Sequence, residues 1–470
     1  MSTLLDPATL DFDVAPRAQL YLGLNPESRK RKWSTREDSC AIIGPPRVGK
    51  TSGLLIPQVL HWDGPLIVAT TRGDILAATG DHRRRLAERH GGQVFVYDPF
   101  QSIPGVTSMR WTPLDGCLDP DLVDRRVAEM TATAGSGMSE GEHWRAGAAG
   151  ILRGVLHAAA LDKRPLRDVA RWLDEHDVHE ATEILRDSQS PAQYWASRLK
   201  GLARLGDKER GSYFSVAQRC IEVVQSPTVR ASTDGCDLDI DTFLDSRSTL
   251  YIVSPSHVQA ALAPMIVALI TAITQRATEL AQSRGGRLDP PLGVDLDEFA
   301  NIAPLPGAQA LASEGAGRGV VLTWAAQSLD QVRARYGDDE ALAIFGASTA
   351  KIIYGGLANS SDLDMFSAWE GEAREAITTT FSGEMQAVDR IKPGLTGIAE
   401  EQDTQRQSSH SWQYRRVLPV DRLRQTPPGE AWLWYRSDPA VPVWTPSAHR
   451  IPAYGRRAGY TNRAPKGGSA

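Results

Sequence analysis

Cysteine is scarce in this sequence: four in 470 residues, at positions 40, 117, 220 and 236, with no C-x-x-C pair among them. That spacing speaks against a disulfide framework or a structural zinc site and fits a reducing compartment. There is no strong excess of one charge either. The 52 Lys plus Arg face 57 Asp plus Glu, a formal net charge of −5. A chain coated in positive charge is excluded, but a local basic channel is not, because nucleic-acid affinity depends on where the charge sits. The opening MSTLLDPATLDFDVAP carries Asp6, Asp11 and Asp13 and lacks the basic n-region of a signal peptide. Long hydrophobic runs are missing too. The longest uncharged run, Val258 to Gln275, includes Gln259, Pro264, Thr271 and Thr274 and directly follows a strand-like stretch. Spanning a bilayer takes about 20 predominantly apolar residues, so this run reads as a buried core helix. Hydrophobic content of 41% and charged content of 23% exclude a disordered or collagen-like chain. No internal repeat is found.

Short runs rich in Val, Ile, Tyr and Trp recur between helical stretches: Ser39–Ile43, Leu66–Ala69, Val94–Tyr97, Thr249–Val253, Leu292–Leu296, Val320–Trp324, Ala350–Tyr354 and Ala431–Tyr435. Such alternation predicts βαβ units and an α/β fold with a mostly parallel sheet. Between the third and fourth of these runs no convincing strand occurs. Apolar residues there recur three and four apart, as in Val123, Val127, Met130 and again Leu152, Val155, Leu156, Ala159. This predicts an all-helical domain inserted at 119–232. It is flanked by an N-terminal segment (1–38) and the two parts of a nucleotide-binding domain (39–118 and 233–445). The polar, Gly/Pro-punctuated stretch Ser382–Ser411 reads as a loop. The segment 446–470 has no acid but has Arg450, Arg456, Arg457, Arg463 and Lys466, and reads as an extended or disordered tail.

The strongest chemical signal is Gly44-Pro45-Pro46-Arg47-Val48-Gly49-Lys50-Thr51 after the strand Cys40-Ala41-Ile42-Ile43. It satisfies G-x-x-x-x-G-K-S/T in the required order of strand, loop and helix. Glycines let the backbone wrap so that successive N–H groups face phosphate oxygens. The helix beginning at Thr51 and Ser52 presents its positive end to the same charge. Lys50 can reach the β- and γ-phosphates of ATP, and the Thr51 hydroxyl can ligate Mg²⁺. Hydrolysis needs a second, acidic site. The run Leu292-Gly293-Val294-Asp295-Leu296-Asp297-Glu298 ends in two acids, Asp297 for the Mg²⁺ shell and Glu298 for the attacking water. Gly293 and Asp295 interrupt its apolar character. A third buried run, Val320 to Trp324, leads to Gln327, placed to sense the γ-phosphate or position water. A chance glycine turn, a solvated acid pair and an ordinary strand-terminal glutamine are the plain alternatives.

Together these segments resemble the type IV coupling proteins of conjugative DNA transfer and type IV secretion, hexameric RecA-like P-loop ATPases related to the FtsK and HerA motors. The likeness runs from about Tyr21 to Trp444 through GPPRVGKTSGLLIP, VATTRGDIL (Val68–Leu76), GGQVFVYDPF leading into MRWTPLD (Met109–Asp115), and EHWRAGAAGILRGVLHA (Glu142–Ala158). Its most specific piece is LDEFANIAPLP, Leu296–Pro306. WAAQSLDQVRARYG (Trp324–Gly337) resembles the family's sensor segment, and Leu418–Trp444 its last strand pair. The resemblance implies a ring-forming ATPase, a hexamer, that takes ATP and Mg²⁺. It would engage DNA, relaxase or relaxosome proteins, or effector proteins at a transfer channel. Lys50, Thr51, Asp297, Glu298 and Gln327 fall on the nucleotide-site positions. Arg318, in GAGRG before the sensor strand, is the candidate arginine for a neighbouring subunit's site, with Arg47 and Arg72 as competitors and a plain surface role as the alternative. Three departures stand out. No membrane segment precedes the P-loop, which implies a separate membrane-anchoring subunit or action in the cytoplasm. Arg72 replaces a lysine common in relatives. Thr112 stands where relatives often have Asn.

Two clusters, Arg29-Lys30-Arg31-Lys32-Trp33 and His82-Arg83-Arg84-Arg85, are candidates for DNA phosphates, although a solvated face is the plainer reading of each. The leading functional expectation is a cytoplasmic ATP-driven DNA translocase that can be recruited to the inner face of the membrane. A protein-substrate receptor ATPase and a nucleotide-ordered scaffold are the alternatives.

Overall fold

In chain order the strands are β1 (Tyr21–Leu24), β2 (Arg31–Trp33), β3 (Cys40–Ile43), β4 (Leu66–Thr70), β5 (Val94–Tyr97), β6 (Thr249–Val253), β7 (Leu292–Leu296), β8 (Val320–Ala326), β9 (Ala350–Tyr354), β10 (Glu372–Phe381), β11 (Gln407–Arg416), β12 (Glu430–Tyr435) and β13 (Val441–Trp444). The computed structural model describes residues 18–134, 141–381 and 407–458. Eleven strands form one sheet in the order β2-β1-β13-β12-β9-β3-β8-β7-β4-β6-β5. From β9 to β5 every neighbour is parallel. β12, β13, β1 and β2 extend it antiparallel. All eight runs expected as strands are strands, and the fold is mixed α/β around a large, mostly parallel sheet.

Burial explains which runs became central. β3, β6, β7 and β8 are buried at every position, as expected of parallel strands covered on both faces. Gly293 interrupts β7 for a packing reason: a Cβ there would lie 2.7 Å from a Leu66 methyl and 2.8 Å from the Trp62 ring. The helix Gln259–Ser283 is long and apolar enough to cross a membrane, yet 67% of its most apolar window is buried inside the protein. Each such Leu or Ile contributes roughly 1.5–3 kcal/mol when buried. All four cysteines are free, and three are buried.

Between β5 and β6 the described chain has no strand, and its α-helices are Pro120–Ala134, Gly141–Leu161, Leu166–Asp174, His179–Asp187, Trp195–Ala203, Asp207–Ile221, Pro227–Ser232 and Ile240–Asp245. The chain divides into two compact units, Met1–Leu357 with Thr426–Ala470, and Ala358–Gln425. The smaller unit, not anticipated within 233–445, holds the helix Ser360–Trp369, capped by the Asn359 side chain, and the β10–β11 ribbon. In it Arg374 lies 4.6 Å over the Trp412 ring.

Three expectations are corrected here. Residues 407–411 belong to strand β11 rather than a loop; residues 382–406 lie outside the described residues. The tail does not begin at 446: Ala448–Arg450 and Pro452–Ala458 are helical, and Ala448, Ile451, Ala453 and Tyr454 are buried. Tyr454 packs on His61, ring centroids 5.5 Å apart, and its hydroxyl lies 3.1 Å from His61 Nε2. Residues 459–470 are not described. Finally, His82–Arg85 is not a free basic cluster. Arg83 is 0% exposed and donates to Thr249 Oγ1 (2.7 Å) and to the carbonyls of Trp62 and Gly64. His82 is buried beside Arg457. In the other cluster Arg31 and Trp33 sit on β2, with Arg31 5.9 Å from the Tyr454 ring and Trp33 4.9 Å from that of His61.

Candidate nucleotide site

The carboxyl ends of β3, β8, β7 and β4 lie side by side in the sheet, and the chemistry read from the sequence collects there. After β3 the loop Gly44–Lys50 turns into a helix that begins as a π-turn, Thr51–Leu55, and continues as Ile56–His61. Two residues of the loop take left-handed backbone, Arg47 (φ 68°) and Gly49 (φ 112°). The wrap that brings amides inward demands such angles, and only glycine adopts them without cost. Close approach fixes two further glycines. A Cβ on Gly44 would sit 2.6 Å from Tyr354 Cβ, and one on Gly53 would sit 2.3 Å from the Thr445 carbonyl oxygen. The Lys50 ammonium is mostly buried and donates to the carbonyls of Gly44 and Pro45. Burial lowers its pKa, and the negative charges of Glu298 and Asp297 oppose that shift.

The acid pair arrives from β7, one strand removed from β3. Thr51 Oγ1 donates to Asp297 Oδ2 at 3.0 Å, closing the gap between loop and acids. Asp297 is 7% exposed. Burial raises its pKa to about 6, with the Thr51 hydrogen bond pulling the other way. Glu298 adopts φ 57°, ψ 45°, left-handed backbone for a residue with a Cβ, a strain that persists where the surroundings enforce it. The next residue, Phe299, is fully buried between Trp324 (5.4 Å) and Tyr336 (5.5 Å, stacked). Gln327, at the end of the intervening β8, donates from Nε2 to Glu298 Oε1 at 2.9 Å. Its own N–H is held by the Gln331 side chain. Glu298 Oε2 is buried with no hydrogen-bond partner among the described residues.

Asp295, the odd acid inside β7, has a structural explanation. Gln58, two turns into the P-loop helix, donates at 2.6 Å both to Asp295 Oδ1 and to Thr323 Oγ1 on β8. One buried amide therefore ties together the three elements that carry the loop, the acid pair and Gln327. Burial raises the Asp295 pKa to about 7, partly offset by those hydrogen bonds. Gln58 escaped the sequence reading, although an acid in a buried strand is itself a signal that a polar partner must exist. Asp74, whose charge raises the Asp297 pKa, gave no signal. Neither did Gly429, whose N–H donates to the Val48 carbonyl at 3.0 Å.

Not every candidate joins the crevice. Arg318 precedes β8, at the opposite end of that seven-residue strand from Gln327, and pairs with Glu314 at 2.8 Å. Arg47 in the loop and Arg72 after β4 are both exposed. An amine, a hydroxyl, two carboxylates and a turn of backbone amides converge, with one carboxylate oxygen unpartnered. Hard oxygen donors of this kind fit Mg²⁺, and the amine with the loop amides fits a triphosphate.

The family model described as "Type IV secretory system Conjugative DNA transfer" matches residues 18–388. The conjugal transfer protein TraG of Escherichia coli is 25% identical over 323 residues, covering 63% of this chain and 50% of TraG. TraG of Agrobacterium fabrum is 22% identical over 345 residues, covering 70% and 50%. The chain thus spans about half the length of these relatives. Among solved structures, the unbound bacterial conjugative coupling protein TrwBdeltaN70 superposes with a TM-score of 0.63 at 15% identity, covering 92% of this chain and 91% of that one. TrwB bound to the non-hydrolysable ATP analogue ADPNP gives 0.60, covering 87% and 85%. TrwB has also been solved with ADP and Mg²⁺. With its matched span covering most of the sequence and its fold shared with TrwB, the chain belongs to the conjugative DNA-transfer family of type IV secretion, the coupling proteins.

Proposed function

We propose that this protein is an ATP-hydrolysing coupling motor that uses turnover to recruit and pump DNA or nucleoprotein in a conjugative or type IV secretion system. The observation that carries the reading is the pair of contacts Thr51–Asp297 at 3.0 Å and Gln327–Glu298 at 2.9 Å. They join the phosphate loop, the acid pair and the sensor strand in one crevice.

In this reading the loop amides and Lys50 hold the β- and γ-phosphates of ATP, and Thr51 with Asp297 would hold Mg²⁺. The metal, when bound, neutralises charge on the phosphates. Glu298 orients the attacking water and takes its proton, and its unpartnered Oε2 faces that task. Gln327 fixes the Glu298 carboxylate through Oε1 and is placed to respond when the terminal phosphate leaves. Lys50 currently bonds to loop carbonyls, so it must swing toward phosphate on binding. Arg318 is assigned to a neighbouring subunit's site in a hexameric ring, where it would have to leave Glu314. Relaxosome proteins and a separate membrane subunit are the expected partners, and the cytoplasmic side of the membrane is the expected place of action.

The test is the ATPase rate of the wild type and of Glu298→Gln, with and without single- and double-stranded DNA. The motor reading expects low basal turnover raised by DNA and abolished in Glu298→Gln. Turnover indifferent to every nucleic acid but raised by a partner protein would replace it with a protein-substrate receptor. A wild type without turnover would leave a scaffold.

A further inference from the structure

The smaller unit, Ala358–Gln425, joins the rest of the chain at two crossings, after Leu357 and before Thr426. Both crossings are built against the phosphate loop. β9 runs parallel to β3 with Ile353 opposite Ile43, so Gly355 and Gly356 emerge beside Gly44 and Pro45. Gly356 takes φ 81°, and a Cβ there would lie 3.2 Å from Pro45 Cγ. A Cβ on Gly355 would meet the Thr426 carbonyl oxygen at 2.2 Å, so the outgoing and returning segments lie backbone against backbone. The returning segment, Thr426-Pro427-Pro428-Gly429, ends on the Gly429 N–H, which donates to the Val48 carbonyl at 3.0 Å. Its two ends are anchored: the Trp432 indole donates to Thr426 Oγ1 at 3.0 Å, and the Thr445 N–H donates to the Gly429 carbonyl at 2.7 Å.

The two crossings differ in stiffness. Gly355-Gly356 has no side chain and can pivot, whereas Pro427-Pro428 fixes φ at two successive residues and passes a displacement on. The unit they carry is tied within itself. Asn359 caps Ser360–Trp369, Ser367 Oγ donates to the Leu418 carbonyl at 2.6 Å, and Arg416 pairs with Asp364 at 3.2 Å.

Lys50 supplies the change of state. Its ammonium donates to the carbonyls of Gly44 and Pro45. A phosphate that takes the ammonium removes that donor from Pro45, the residue on which Gly356 rests. Loop amides that turn toward phosphate oxygens also move Val48, whose carbonyl holds Gly429. We propose that the paired crossings 355–357 and 426–429 form a strap that relays occupancy of the phosphate loop to the unit Ala358–Gln425. Coupling of this kind is reciprocal, so whatever engages that unit changes nucleotide affinity by the same factor. The proposal rests on the nucleotide reading above and says which part of the chain responds to it.

Hydrogen exchange on the full chain tests this, read by mass spectrometry at Ser360–Trp369 and Val420–Arg424, with and without a non-hydrolysable ATP analogue and Mg²⁺. Saturating analogue should change exchange there by about fivefold or more, the lower end of ordinary allosteric coupling. Two variants slacken the strap and leave its contacts with the loop in place. One carries Gly-Ser-Gly-Ser inserted between Leu357 and Ala358, and the other carries a second such insert between Gln425 and Thr426. Flexible linkers of this composition transmit little strain, so the double insertion should cut the response below about twofold and the single insertion should weaken it. Both should still bind the analogue, because no inserted residue touches the crevice. Should the double insertion fail to fold, the single one decides. A wild type that binds the analogue with no change in 358–425 overturns the strap and leaves the motor reading standing. A response that the inserted chains keep in full, as one arising from ring assembly would be kept, overturns it too. A wild type that binds no analogue sinks the strap together with the nucleotide site.

Discussion

At the residue scale, the proposed roles separate nucleotide binding from hydrolysis. The Glu298 side chain is held by the Gln327 amide, and substitution by Gln preserves shape and polarity while removing the proposed base. Hydrolysis by Glu298→Gln should fall by about 10²-fold or more while affinity for a fluorescent ATP analogue stays within a few-fold of wild type. Asp295 makes a different prediction. Burial raises its folded pKa to about 7 against an unfolded value of 3.8, so folding favours its protonated form. The stability tied to that proton is fully present below about pH 4 and is lost as pH rises toward 7. Asp295→Asn keeps the shape without the charge. In nucleotide-free protein it should melt near wild type at pH 4.5 and higher than wild type at pH 8, with an upper bound of about 4 kcal/mol on the gain. A melting difference that does not vary with pH would show that Asp295 is already charged in its buried setting.

At the scale of elements, what could be read in advance divides by the kind of force involved. β3, β6 and β8 announce themselves as continuous apolar runs because both faces are covered. The P-loop announces itself because phosphate wrapping tolerates few residues. β2 was hidden, since its RKW sequence looks like a charged patch until Trp33 is seen against His61 and Arg31 against Tyr454. β11 was hidden because QSSHSWQYRR reads as loop composition, and its pairing with β10 comes from long-range register rather than local pattern. The C-terminal helix was hidden by its own arginines: Arg456 and Arg457 suggested a solvated tail, while Ile451, Ala453 and Tyr454 supplied the anchor. That anchor is testable. Tyr454→Ala removes the ring against His61 and the hydroxyl near its Nε2, and should destabilise the protein by about 3 kcal/mol, read as a lowered urea midpoint with an unchanged slope. In the candidate site, the loop, Asp297, Glu298 and Gln327 were legible. Gln58, Gly429 and Thr445 were not, because they act from distant sequence through contacts that only the folded sheet creates.

At the scale of the whole molecule, ligand binding and folding are one equilibrium. A nucleotide that binds only the folded chain stabilises it by about 2.7 kcal/mol at a hundredfold excess over its dissociation constant. A non-hydrolysable ATP analogue with Mg²⁺ should therefore raise the melting temperature of wild type by several degrees. Lys50→Ala should abolish most of the rise, and omission of Mg²⁺ should reduce it. Light scattering with and without the analogue reads the ring: a mass that stays that of one chain under every nucleotide would remove the hexamer from the account.

The nearness of Thr445 to Gly53, and of Gly429 to the loop at Val48, carries a consequence for biosynthesis. The phosphate cradle is specified by residues 44–51, yet the wall behind it comes from residues hundreds of positions later and leaves the ribosome well after it. A nascent polypeptide displays the cradle long before that wall can back it, so a chain cut short upstream of Gly429 should present the loop without its support and bind nucleotide poorly.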